Sequence, residues 1–104
     1  MTNIKAVTLG LSNERDQSRS VQIEPWGVEY ILPTKGELIL VAVDRERTPH
    51  FHINEWEDTT QIYCEEAEDY YVIQNGRRLE HAFDRGASEG IERDIAVLWA
   101  GWMK

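Results

Sequence analysis

The sequence predicts a mainly β protein: a single antiparallel β-sandwich of about seven to eight short strands, followed by a helix over about residues 88–103. Three observations carry this expectation. Short runs of alternating apolar and polar residues recur roughly every ten positions, each ended by a turn signal, which is the rhythm of sandwiches and barrels. Asn75-Gly76 stands between two such runs and is a strong hairpin signal. The period then changes near the C-terminus, where Ile91, Ile95, Leu98, Trp99 and Trp102 fall at helical spacing. A small barrel is the second architecture that the same pattern admits.

The runs can be taken in order. "IKAVTLGL" places Val7, Leu9 and Leu11 on one face, and the polar "SNERDQSRS" closes it. "VQIEP" puts Val21 and Ile23 inward and Gln22 and Glu24 outward, until Pro25 and Gly27 break the ladder around Trp26. "VEYIL" keeps Val28, Tyr30 and Leu32 in phase. The turn "PTKG" follows, with Gly36 expected at a positive φ. "ELILVAVD" is apolar on both faces, as a central strand covered on both sides would be. "HFHIN", "TTQIYC" and "DYYVIQ" come next. A two-residue turn at Asn75-Gly76 pairs Gln74 with Arg77, Ile73 with Arg78, Val72 with Leu79 and Tyr70 with His81. In the tail, Ser88 suits an N-cap, and Glu89 and Glu92 suit the first turn of a helix. A final strand over "DIAVLWAGW" is the competing reading.

The chain of 104 residues fits one domain over its whole length, and no repeat or linker interrupts it. Apolar residues make up 41% and charged residues 29%, the balance of a soluble globular protein. The first residues are too polar for a signal peptide and no run reaches membrane-spanning length, so a cytoplasmic location and no membrane partner are expected. The formal net charge is −8, and no Lys or Arg occurs between Thr48 and Gly76. That stretch carries Glu55, Glu57, Asp58, Glu65, Glu66, Glu68 and Asp69, which repel a phosphate backbone and exclude nucleic acid as the expected partner. The single cysteine, Cys64, has no second thiol for a disulfide or a CxxC pair, and it reads as a small strand residue.

The stretch "PHFHINEWE" is the one candidate for metal chemistry. His50, His52 and Glu57 form H-x-H-x4-E, and His81 can be added as a third imidazole. Two or three neutral imidazoles and a carboxylate would suit Fe, Mn, Zn or Ni. The fragment resembles the first motif of the cupins, which implies an inward-facing metal site in a barrel. It departs from that motif where glycines are required, at Asp44 and Cys64. The second motif's proline is also missing, and His81 sits one residue too close to Gly76. Strand alternation argues the other way: with Phe51 and Ile53 toward the core, His50 and His52 face solvent. The outward reading is preferred, with the cupin-like metalloprotein as alternative, and no cofactor is expected. No nucleophile motif surrounds Ser12 or Ser88, and no phosphate-binding glycine loop occurs, so no enzyme class is indicated.

The remaining distinctive segment is "EPWGVEYILPTKGE". Trp26 and Tyr30 either plug one end of the core or offer an aromatic platform to a small ligand or sugar. Leu9, Leu11 and Asn13, then Glu24-Pro25-Trp26-Gly27, Glu29-Tyr30, Leu32-Pro33 and Gly36-Glu37, together resemble a pattern in small bacterial β-sandwich proteins that have no assigned activity. The likeness runs to about residue 45 and extends weakly to Asn75-Gly76, and it implies the fold without implying a chemistry. The functional expectation is therefore binding rather than catalysis. The partner is another protein or a second copy, held through Trp26, Tyr30, Trp56 and the acidic turns, or through an edge strand or the tryptophan-rich tail.

Overall fold

A computed structural model describes residues 4–79 of the chain. Within them the protein is mainly β, with eight strands: β1 (Lys5–Ser12), β2 (Arg19–Glu24), β3 (Val28–Leu32), β4 (Glu37–Asp44), β5 (His50–Glu55), β6 (Thr59–Glu65), β7 (Asp69–Gln74) and β8 (Arg77–Arg78). They form two four-stranded sheets, ordered β1-β4-β7-β8 and β3-β2-β6-β5. The sheets do not close into a barrel. The expected helix over 88–103 lies outside the described residues, as does the pairing of Tyr70 with His81. No helix among the described residues is long and apolar enough to cross a membrane.

The alternation seen in the sequence sorts residues between faces as expected. Val21 and Ile23 of β2, Leu38, Leu40 and Ala42 of β4, Ile62 and Cys64 of β6, and Tyr70 and Val72 of β7 are buried in one cluster drawn from both sheets. Leu9, Leu11, Trp26, Tyr30 and Phe51 pack against it. β4 lies between β1 and β7. Its other face is buried too, with Val41 and Val43 beside Tyr71 and Ile73 of β7, so the strand is covered on both sides. At the hairpin, Asn75 and Gly76 both take positive φ (51° and 81°), the backbone that a two-residue turn between twisted strands requires. Ile73 pairs with Arg78 and Gln74 with Arg77. The Leu79 amide donates to the Val72 carbonyl at 2.8 Å, as the expected register requires.

Two expectations are corrected. The strands are not purely antiparallel: β2 and β6 run parallel, from Ser20 opposite Thr59 to Glu24 opposite Tyr63. The hairpins β2–β3 and β5–β6 place β3 and β5 at the two edges, so β2 and β6 meet in the middle. A parallel pair needs a long crossover, and the chain supplies one by passing through β4 in the other sheet. In the "PTKG" turn the positive φ belongs to Lys35 (63°) rather than Gly36. Gly36 is required for space instead, because an added Cβ would stand 2.9 Å from the Pro33 carbonyl oxygen, the group that accepts from the Gly36 amide.

Candidate functional site

Among the described residues, exposed large apolar side chains gather about the terminal strand β5, the turn that follows it and the neighbouring strand β6. Four large apolar side chains stand exposed among the described residues: Ile31 (54%), Ile53 (42%), Trp56 (54%) and Tyr63 (36%). Three of them lie on β5, on β6 beside it, or in the turn between the two. Ile53 pairs with the buried Ile62 and shares the face of Phe51, yet it is half open, because the core ends at this edge. Tyr63 points to the opposite face, opposite His52, with the two rings edge-to-face at 6.4 Å between centroids. The edge thus has Ile53 on one side and, one strand in, Tyr63 on the other.

The turn from Trp56 to Thr59 is held by two arginines that the sequence did not single out. Arg19, almost fully buried at the start of β2, donates from Nε to Thr60 Oγ1 (2.8 Å) and from Nη1 to the Glu57 carbonyl (2.8 Å). Its Nη2 donates to the carbonyls of Trp56 (2.7 Å) and Thr59 (3.2 Å). Arg15 adds a bond from Nη1 to the Glu57 carbonyl at 2.7 Å. The Trp56 amide closes the turn onto the Thr59 carbonyl at 2.8 Å. A guanidinium suits this task because its planar fork satisfies several carbonyls at once. The turn is therefore a fixed mount for Trp56, flanked by the carboxylates of Glu55, Glu57 and Asp58.

The histidines face outward, as strand alternation requires. His50 Nε2 stands 2.8 Å from Glu65 Oε2, its cross-strand partner on β6, and both side chains are exposed. Glu57 lies beyond the far end of β5, in the arginine-held turn. Among the described residues no group of three or more His, Cys, Asp or Glu comes together as a metal set, and His81 lies outside them.

The chain matches no family model, no curated protein and no solved structure. The resemblance of its first half to small bacterial sandwich proteins therefore stays an expectation, and the site rests on its geometry.

Trp26 and Tyr30, for which the sequence admits both a core plug and a contact surface, are partly buried and pack against the core. The Trp26 ring lies 4.6 Å from that of Tyr70 between centroids, and the Tyr30 hydroxyl is 3.5 Å from the Tyr70 hydroxyl. Trp56 alone of the three named aromatics is exposed. Asn13 is a buried hub that alternation could not reveal. Its Nδ2 donates to the carbonyls of Gln17 (2.8 Å) and Leu32 (3.1 Å), while its Oδ1 accepts from the Arg15 amide (3.0 Å). Asp44 does the same for the next crossing. Burial pushes its carboxyl up, but the amides of Arg47 and Glu46 and the Arg47 guanidinium outweigh this and hold it below its ordinary value.

Cys64 is buried, and that burial pushes its thiol up to about 12. Because the thiolate is the reactive form, the folded protein is expected to react with an aromatic disulfide reagent at pH 8 at least about a hundredfold more slowly than free cysteine. Addition of guanidinium should release one fast equivalent. A fast native reaction, followed by absorbance, would mean that the thiol is open and activated.

Proposed function

We propose that the domain is a non-catalytic binding module that takes an extended, basic polypeptide segment as an added strand along β5. The observation that supports this most is the placement of Ile53, Trp56 and Tyr63 about one terminal strand. The second row of β5 backbone groups faces no other strand among the described residues, and a docked segment would satisfy it with its own N–H and C=O groups. Side chains of such a segment alternate between faces, so Ile53 would meet one set and Tyr63 the other. Glu55, Glu57, Asp58 and Glu65 flank the strand; Glu55 stands 3.9 Å from Arg19 and Glu65 stands 2.8 Å from His50, and both pairs are exposed on at least the carboxylate side. This favours a cationic partner over a second copy of a chain whose net charge is −8.

Titration with a peptide of alternating lysine and valine, followed by amide NMR, is the direct test. Shifts concentrated on residues 50–56 and weakening as salt is raised are the expected result. Trp56→Ala is expected to lower the affinity about tenfold, as loss of an aromatic anchor does. Shifts that avoid β5, or an affinity indifferent to Trp56→Ala, would remove the proposal. Light scattering at high concentration would show whether a second copy takes the edge instead.

A further inference from the structure

The β3-β2-β6-β5 sheet is polar on the face turned away from the shared core, and its side chains there stand in register across the strands. Asn54 of β5, Gln61 of β6, Gln22 of β2 and Glu29 of β3 lie opposite one another in a single row. In the next row Tyr63 stands between His52 and Glu24. The three carboxamides are half-buried by their neighbours, yet none of them is hydrogen-bonded to another side chain among the described residues. No lysine or arginine occupies an outward position of these four strands, while Glu24, Glu29 and Glu65 all do. At the Glu65 end a cavity of about 540 Å³ opens beside Tyr63, with Pro25, Arg47 and His50 among its walls.

We infer that this face binds a neutral oligosaccharide, laid across the strands with one sugar ring seated in the cavity against Tyr63. Sugar hydroxyls both donate and accept, as carboxamides do, so they match Asn54, Gln61 and Gln22 without any counter-charge. The carboxylates of Glu24, Glu29 and Glu65 accept from hydroxyls too, and they repel phosphate, sulfate or uronate groups. Neighbouring strands lie about 4.8 Å apart, so the row offers such contacts in even steps along an extended chain. The exposed Tyr63 ring, set edge-to-face with His52, supplies an apolar body for the C–H side of a sugar and a hydroxyl for its polar side. The cavity is within the size range of small-ligand sites. A basic polypeptide suits the β5 edge, where backbone groups meet it. On this face its lysines would pair with the glutamates and leave the carboxamides stripped of water and unmatched. The two sites share Tyr63 and are otherwise separate.

Amide NMR of the full chain, titrated with neutral tetrasaccharides of glucose, of mannose and of N-acetylglucosamine, tests this. At least one of them is expected to shift the side-chain amides of Gln22 and Gln61 and the backbone of Glu24 and Tyr63, to an extent that salt leaves unchanged. Gln22→Ala combined with Gln61→Ala is expected to weaken that binding about tenfold. The same variant should still take the lysine–valine peptide along β5 as the parent does, and failure of the peptide to bind the parent bears on the β5 edge alone. Shifts on this face from a tetramer of galacturonic acid but from no neutral sugar would overturn the assignment. So would a neutral sugar that shifts other residues only, or one whose binding the double substitution does not change.

Discussion

Tyr70→Ala is expected to cost about 4 kcal/mol of stability, the range found when a fully buried aromatic ring is cut back to a methyl. Tyr70 has no exposed surface, and it sits on β7 facing the second sheet. Its ring is the surface on which Trp26 lies at 4.6 Å and 45°. Removing it opens a cavity between the sheets and strips Trp26, which stands in the sharp link from β2 to β3, of a ring it packs against. A lower urea midpoint with an unchanged slope is the expected signature, since the native packing is lost while the surface exposed on unfolding stays similar. Tyr70→Phe keeps the ring and removes the hydroxyl that faces Tyr30 at 3.5 Å, so its cost should stay within about 1 kcal/mol. The same substitution has an alkaline consequence. Burial, and then the hydrogen bond to Tyr30, pushes the Tyr70 phenol upward. The unfolded chain then releases this proton near pH 10, before the folded chain does, and stability falls as pH rises beyond that point. In Tyr70→Phe the part of the alkaline loss due to this group should vanish.

The sequence showed the strands, their faces and the hairpin because these depend on local features. Alternation decides which side of a strand is apolar, and the demand for two positive φ angles marks Asn75-Gly76. It told correctly that Phe51 turns to the core, which leaves His50 and His52 outside. It could not tell that β2 meets β6 in parallel, because neighbours in a sheet are chosen by long-range packing and leave no periodic trace. It left Trp26 and Tyr30 between two readings. An aromatic at a strand corner serves equally as a plug or a platform, and the residue these two pack against, Tyr70, lies 40 positions after Tyr30. The burial of Arg19 and Asn13 went unforeseen for a related reason. Both sit at the ends of a loop made of polar residues, where nothing local separates a solvated side chain from one that is buried and bonded to distant carbonyls.

Arg19→Met is expected to cost about 3 kcal/mol and to weaken binding along β5 in the same variant. The methionine retains most of the apolar stem, so the loss measures the guanidinium's bonds rather than its packing. Those bonds satisfy the carbonyls of Trp56, Glu57 and Thr59 and the hydroxyl of Thr60 from one nearly buried group. Without it the turn must rehydrate, and rehydration means moving away from β2. The ion pair with Glu55 adds little, since its 3.9 Å separation ends on a carboxylate that is 65% exposed. Arg19→Lys should recover only part of the loss, because an ammonium cannot hold several fixed carbonyls with the geometry of a fork. The comparison with Tyr70→Ala separates stability from function. Both variants destabilise the fold, but of the two residues Arg19, with Arg15 beside it, holds the mount of Trp56, and Tyr70 does not touch it. Below their unfolding temperatures, Tyr70→Ala should bind the lysine–valine peptide nearly as the parent does, while Arg19→Met should bind about tenfold more weakly, in parallel with Trp56→Ala. Equal binding by both, measured by titration calorimetry at 10 °C, would show that the arginine clamp serves the fold and has no part in recognition.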